Sequence, residues 1–137
     1  MKLMPVVCRL TAPLPAAIAT LQLMGDQAYE MLLASGLVTK TELEIGRINY
    51  CLWPLSNGQE TVHEQLVICR TQDQRIEICC HGGIAVCQAI IDSLVKQGFS
   101  EADFEDLPSQ YRCPIQQAAE ADLMQAKTDR AAAILLD

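Results

Sequence analysis

The chain has 137 residues, a formal net charge of −7 and a pI of about 4.7. We do not expect it to bind nucleic acid directly, because phosphate contacts need clustered cations and the sequence contains no run of Lys or Arg. Its length suits one domain of ordinary size with a hydrophobic core of its own.

The sequence predicts a cytoplasmic protein with reduced thiols and no membrane contact. Three prolines interrupt the apolar start, which breaks the pattern of a secretory signal, and no apolar stretch reaches the length of a membrane span. The seven cysteines form neither an even-numbered framework nor a CxxC pair. Buried, reduced cysteines are therefore the expectation.

The first part of the chain predicts two strands followed by a helix. Residues 3–10 form a short apolar entry strand, and residues 17–24 alternate as a second strand with Gln22 on its polar face. A helix follows over residues 27–34, for which Asp26 is a suitable N-cap.

A pair of strands comes next, joined by the strongest turn signal in the sequence. The strands are predicted at residues 43–55 and 64–69, on either side of Ser56-Asn57-Gly58. Asn-Gly favours the positive φ angles that a tight hairpin turn needs, so these strands are expected to pair.

The chain is organised around a strand, a glycine turn and a helix within residues 75–98. Alternation from Arg75 predicts the strand, and helical spacing of apolar residues begins at Ile84. Between them, Gly82 and Gly83 allow positive φ angles and the close approach of a ligand or another chain. The free N–H groups of the new helix can receive an anion there. A glycine pair that only permits a tight turn is the competing interpretation.

The last part of the sequence predicts a loop and a helix. Residues 99–112 are acidic and are expected to form a loop or one short helical turn, and Pro114 opens a final helix over residues 115–136. The order of all these elements predicts an α+β fold, in which helices pack on one face of a sheet.

Three stretches, taken together, resemble the TrmE (MnmE) family of tRNA-modification GTPases. They are AIATLQLMG at residues 17–25, IEICCHGG at residues 76–83 and PIQQAAEADLMQAKTDRAA at residues 114–132. In addition, TQDQRIE at residues 71–77 falls where the family has a TGED-type loop. The ordered combination covers most of the chain.

The resemblance implies a small mixed or antiparallel sheet with helices packed on it, similar to the N-terminal, folate-binding aminomethyltransferase-like domain of TrmE. It implies such a domain at residues 1–112 and, at residues 113–137, a helix like the start of the family's helical domain. It also implies a homodimer that binds a reduced folate, 5-formyltetrahydrofolate, near its interface.

In the family, this domain acts together with a GTPase domain and with the FAD-dependent partner MnmG (GidA) on the wobble uridine of tRNA. The resemblance therefore implies a role in tRNA modification, with tRNA contacted only indirectly. The 137 residues contain no GxxxxGK[ST] loop, so no GTP site is expected in this chain and a separate GTPase partner would supply that activity.

By resemblance, the residues expected to contact the folate, at or near one end of the central strand, are Thr71, Asp73, Glu77, His81, Gly82, Gly83 and Arg112. The Glu77 carboxylate offers two oxygens to the adjacent N–H donors of a pterin ring, and His81 either contacts the ligand or bonds the backbone. Compared with the family, Gln22 replaces an arginine and no loop of the PGEFTxRAFLN type follows Gly98. The predicted folate site is therefore degenerate.

Two other interpretations remain open, and no residue set forms a complete catalytic centre. One is a non-catalytic dimerisation or docking scaffold that has lost folate binding. The other is a metal or thiol site built from Cys79, Cys80, His81 and Cys87, although adjacent strand cysteines point to opposite faces. A catalytic thiolate needs a base beside it, and among the cysteines only Cys80 adjoins a histidine in the sequence.

Overall fold

The protein is described by a computed structural model. The residues that the structure describes are 2–56, 58–111, 118–119 and 122. Arg112 and most of the helix predicted over residues 115–136 lie outside them, as does Asn57 of the predicted hairpin turn.

The chain divides into two units, Met1–Glu105 and Asp106–Asp137. The described part of the first unit carries the whole sheet and both α-helices, and a short 3-10 helix, Ser109–Tyr111, belongs to the second unit. The predicted division after residue 112 stays a prediction.

The described elements of the first unit are, in chain order, β1 Val6–Arg9, β2 Ile18–Met24, α1 Ala28–Ala34, β3 Ile48–Ser56, β4 Thr61–Gln72, β5 Arg75–His81, α2 Ile84–Val95 and β6 Ser100–Glu101. The six strands form one sheet in the order β3-β4-β5-β2-β1-β6. All neighbours run antiparallel except β1 and β6, which are parallel. The predicted α+β fold is thus confirmed, as a mostly antiparallel sheet with two helices in the described part of the first unit. None of the described helices is both long and apolar enough to cross a lipid bilayer.

One face of the sheet carries the hydrophobic core, as the alternation in the two central strands predicts. Ala19, Leu21 and Leu23 of β2 have no exposed surface, and they pair with Cys80, Ile78 and Ile76 of β5. Their side chains point to one face because successive strand residues alternate. Both helices contribute to the same core cluster.

Helix α2 is anchored by its apolar stripe and by one polar contact to the sheet. Its buried side chains are Cys87, Ile90, Ile91 and Leu94. The indole N–H of Trp53, a fully buried residue of β3, donates to Ser93 Oγ at 3.0 Å. After the helix ends, Gly98 has a φ of 101°, the left-handed conformation that commonly terminates a helix.

The structure corrects several predicted element ends. Gln27, with a left-handed φ of 65°, occupies the N-cap position of α1, because the Asp26 carboxylate instead accepts a hydrogen bond from Leu3 N–H at 2.9 Å. Strand β3 begins at Ile48 rather than at residue 43, since Gly46 takes a positive φ of 79° in between. Strand β4 extends further at both ends than residues 64–69.

The two glycines after β5 do not adopt the positive φ angles that we expected. Gly83 has a φ of −66°, and Gly82 is not among the residues with positive φ. What Gly82 does provide is close approach: a Cβ built on it would lie 2.2 Å from the Ala16 carbonyl oxygen. Two backbone hydrogen bonds hold this contact, from Ala16 N–H to Gly82 O at 3.3 Å and from Gly82 N–H to Ala17 O at 3.2 Å.

Candidate functional site

The sheet surface opposite the helices, which we call the open face, exposes a group of large apolar side chains. They are Ile18, Ile48, Tyr50, Leu52 and Val67, with 37 to 72% of each exposed. Tyr50 pairs with Val67, and Val67 pairs with Cys79, so the group continues across three strands. Contiguous exposed apolar surface on a soluble domain is typical of an interaction or ligand site.

A shallow pocket of about 290 Å³ lies on the open face at the end of β5 that leads into α2. Its walls include Tyr50, Val67 and Ile18, and its polar lining comes from Gln65 and His81. An aromatic ring and aliphatic groups beside a few polar atoms are the usual lining of a small-molecule site. We call this the open-face pocket.

The imidazole at the rim of the pocket is held by a carboxylate. His81 is exposed, and its Nδ1 makes a short contact with the carboxylate of Glu64 on β4, which is mostly buried. The contact fixes which ring nitrogen faces the carboxylate and leaves the other nitrogen for a ligand. Sequence reasoning did not single out Glu64, because only the register of the strands brings it to His81.

Glu77 lies in the middle of β5, where it contacts Gln22 of the neighbouring strand β2. Gln22 and Glu77 are direct cross-strand partners, and Gln22 Nε2 donates to Glu77 Oε1 at 3.3 Å. Gln22 is on the open face as predicted, but it is buried. One oxygen of the Glu77 carboxylate is therefore already engaged within the sheet.

Thr71 and Asp73 lie at the opposite end of β5 from His81. The Thr71 hydroxyl donates to Arg75 O at 3.3 Å, and the Asp73 carboxylate accepts from Arg70 Nη2 at 2.7 Å. Because a strand rises about 3.3 Å per residue, Arg75 and His81 are roughly 20 Å apart. The expected grouping at one end of the strand is therefore wrong, while the binding roles of Thr71 and Asp73 stay predictions.

Gly82 and Gly83 follow His81 directly, and they differ in what surrounds them. Gly82 is packed against the backbone of Ala16, whereas a Cβ on Gly83 would meet only Val86 Cγ2 at 3.8 Å. Gly83 is exposed and forms the N-cap of α2, with no side-chain hydrogen bond to cap the helix. Arg112, the remaining predicted ligand residue, lies outside the described part of the chain.

The two cysteines of β5 point to opposite faces of the sheet, as expected for adjacent residues of a strand. Both residues border the open-face pocket, but Cys79 is half-buried whereas Cys80 is buried and belongs to the core cluster. Within the described ranges, no three His, Cys, Asp or Glu side chains lie close enough together to hold a metal ion.

Burial, with the neighbouring Cys87 adding to it, raises the pKa of Cys80 to about 12. A thiol with that pKa is almost fully protonated at neutral pH, which argues against Cys80 as a catalytic nucleophile.

A second pocket, of about 350 Å³, lies on the helix side of the sheet between α2 and the β3–β4 hairpin. Leu55, Asp92 and Lys96 are among its lining residues. It contains none of the residues that the sequence singled out, so the open-face pocket is the better candidate for a functional site.

Comparison with known proteins relates the chain to one kind of protein. It is 33% identical over 140 residues to the tRNA modification GTPase MnmE of Staphylococcus epidermidis, covering 88% of this chain and 29% of that protein. It is 29% identical over 94 residues to the MnmE of Pseudothermotoga lettingae, covering 64% of this chain and 20% of that protein. No protein-family model matches the chain. The chain is thus related to MnmE, and it spans less than a third of the length of these curated relatives.

Proposed function

We propose that this chain is an MnmE N-terminal-like module that acts in tRNA wobble-uridine modification. In this proposal it binds a reduced folate in the open-face pocket and pairs with a second copy through the open face. A GTPase and an MnmG (GidA)-like protein act as its partners, since the chain itself has no P-loop motif. The similarity to a tRNA modification GTPase over 88% of the chain carries the proposal.

The size and lining of the open-face pocket support folate as the ligand. They disfavour larger ligands that would have to fit entirely inside the pocket. Its volume of about 290 Å³ is close to the lower end, about 300 Å³, of typical ligand sites. That space suits the bicyclic pterin ring, with Tyr50 and Val67 against its faces and the polar edge toward Gln65 and His81. The remainder of the folate would extend over the open face, where a second copy of the chain covers it.

The exposed apolar side chains of the open face support self-association. A partner that buries Ile48, Tyr50 and Leu52 removes apolar surface from water, which contributes about 25 cal/mol per Å². The same pairing surface places a second chain against the rim of the pocket. Folate binding and dimerisation are therefore expected to strengthen each other.

Titration calorimetry with 5-formyltetrahydrofolate tests the folate proposal. We expect His81→Ala to weaken binding about tenfold, because the variant loses a polar contact at the rim that is worth about 1.4 kcal/mol. Gln88→Ala, which removes a polar side chain from the exposed face of α2, is the matched control and should bind like the unmodified chain. An equal loss in both variants would move the site away from the open-face pocket, and no heat at millimolar folate would exclude folate as the ligand.

Sedimentation velocity tests the proposed pairing surface. We expect Tyr50→Asp to raise the dimer dissociation constant at least about a hundredfold, since it places a carboxylate in an apolar interface without a partner. Ala85→Asp adds the same charge to an exposed position on α2 and should leave the dimer unchanged. If Tyr50→Asp sediments like the unmodified chain, the open face is not the pairing surface.

The scaffold interpretation is the second candidate, and the degenerate folate site favours it. Gln22 stands where the family has an arginine and is already bonded to Glu77, so a cation beside the predicted ligand is missing. A chain that dimerises through the open face but gives no heat with folate would be a scaffold. The two measurements together distinguish a folate-binding module from a docking module.

A further inference from the structure

Two buried thiols lie against each other on either side of the glycine turn. Cys80, near the end of β5, and Cys87, the fourth residue of α2, have their Sγ atoms 4.0 Å apart. Their exposed fractions are 3% and 1%. A disulfide needs an S–S distance of about 2.05 Å, so the two sulfur atoms must approach by only about 2 Å to form one.

The strand side of this pair is fixed, whereas the helix side is weakly held. Cys80 precedes the turn in which Gly82 is bonded to Ala16 and Ala17. Helix α2, in contrast, begins at Gly83 without any side-chain cap, and Ile84 and Ala85 in its first turn are exposed. An uncapped, exposed first turn opens more readily than the rest of a helix. Opening of that turn brings the Cys87 thiol to solvent.

We propose that Cys80 and Cys87 form a dithiol that a low-molecular-weight disulfide oxidises to an intramolecular disulfide. Cys87 loses its proton, and its thiolate attacks one sulfur of the small disulfide, giving a mixed disulfide and releasing one small thiol. Cys80 then loses its proton and attacks the Cys87 sulfur, releasing the second small thiol. In balance, two protein thiols lose two electrons and two protons, and the small disulfide is reduced to two thiols.

The second step, the attack of Cys80 on the Cys87 sulfur, is the slow one, because Cys80 is buried in the core. Burial raises the pKa of Cys80 above its usual value, so little Cys80 thiolate is present at neutral pH. The bond therefore forms over long exposure to oxidant, and it ties the start of α2 to β5. Cys87 Sγ donates to His81 O at 3.6 Å in the reduced chain, and this donor is lost on oxidation.

Peptide mapping of the folded chain after incubation with oxidised glutathione tests the proposal. Trypsin releases residues 76–96, which contain Cys79, Cys80 and Cys87. We expect this peptide to become about 2 Da lighter, the mass of two hydrogens, and alkylation of Cys80 and Cys87 in denaturant after the incubation to be reduced at least about fivefold. Cys79, on the open face, should still react with the alkylating reagent.

Two variants make the assignment specific. Cys79→Ser should still give the lighter peptide, and Cys80→Ser should not. If a serine in the core unfolds the chain, the labelling pattern of the unmodified protein decides alone. Glutathione attached to Cys79 without loss of 2 Da, or full alkylation of Cys80 and Cys87, would overturn the proposal. None of these readouts depends on folate binding.

Discussion

Gly82→Ala is expected to destabilise the domain by about 3 kcal/mol or more, placing it among the most damaging single substitutions. The added Cβ would lie 2.2 Å from the Ala16 carbonyl oxygen and 2.6 Å from its carbonyl carbon. Both are backbone atoms, so no side-chain rotation relieves the contact. The chain must instead separate residues 16–17 from Gly82 and break the two hydrogen bonds between them. Urea denaturation followed by circular dichroism measures the effect.

Gly83→Ala is the matched control for this prediction. Gly83 has a φ of −66°, which alanine adopts without strain, and its added Cβ would have ordinary van der Waals contact with Val86. We expect a change within about 0.5 kcal/mol of the unmodified chain. Equal destabilisation by both substitutions would contradict the conclusion that Gly82 alone is needed for close packing.

Trp53→Ala is expected to lower the free energy of unfolding by about 3–5 kcal/mol, the usual cost of removing a large buried aromatic side chain. Trp53 is fully buried and is the only tryptophan of the chain. The substitution leaves a cavity between β3 and α2 and removes the hydrogen bond to Ser93 Oγ. Because the variant has no tryptophan fluorescence, circular dichroism in urea is the appropriate measurement.

Tyr50→Ala, on the same strand but on the open face, controls for the loss of an aromatic side chain. Tyr50 is 58% exposed, so its removal from the monomer should cost no more than about 1 kcal/mol. Measuring both variants at low protein concentration keeps self-association from adding to the stability of Tyr50. A cost for Tyr50→Ala that matches that of Trp53→Ala would contradict the assignment of the two faces.

The parts of the fold that could be predicted are those whose pattern is strong and local. Residues 17–24 and the strand from Arg75 alternate clearly, and the apolar stripe after Ile84 is long enough to define α2. Strand β6 could not be predicted, because its two residues, Ser100 and Glu101, are exposed and too few to show a period. Its pairing with β1 is decided by tertiary structure.

The site was harder to predict than the fold because its contacts cross between strands. Glu64 reaches His81, and Gln22 reaches Glu77, only once the register of β4, β5 and β2 is fixed. The sequence placed Glu77 and His81 in the correct strand. It also predicted Thr71 at the same end as His81, although the two residues lie at opposite ends of β5. A close approach at the glycine pair was expected, but its partner, the backbone of Ala16, could not be predicted, because residue 16 is distant from Gly82 in sequence.

The central pairing of the sheet has a consequence for how the chain reaches its fold. Strands β3, β4 and β5 follow one another along the chain and form a local meander. Strand β2, at residues 18–24, instead pairs with β5, at residues 75–81, which is distant in sequence. Pairings distant in sequence are slow because a long loop must close first. A growing chain therefore holds β1 and β2 with an open edge until β5 has emerged from the ribosome, and that interval is when it is most exposed to aggregation.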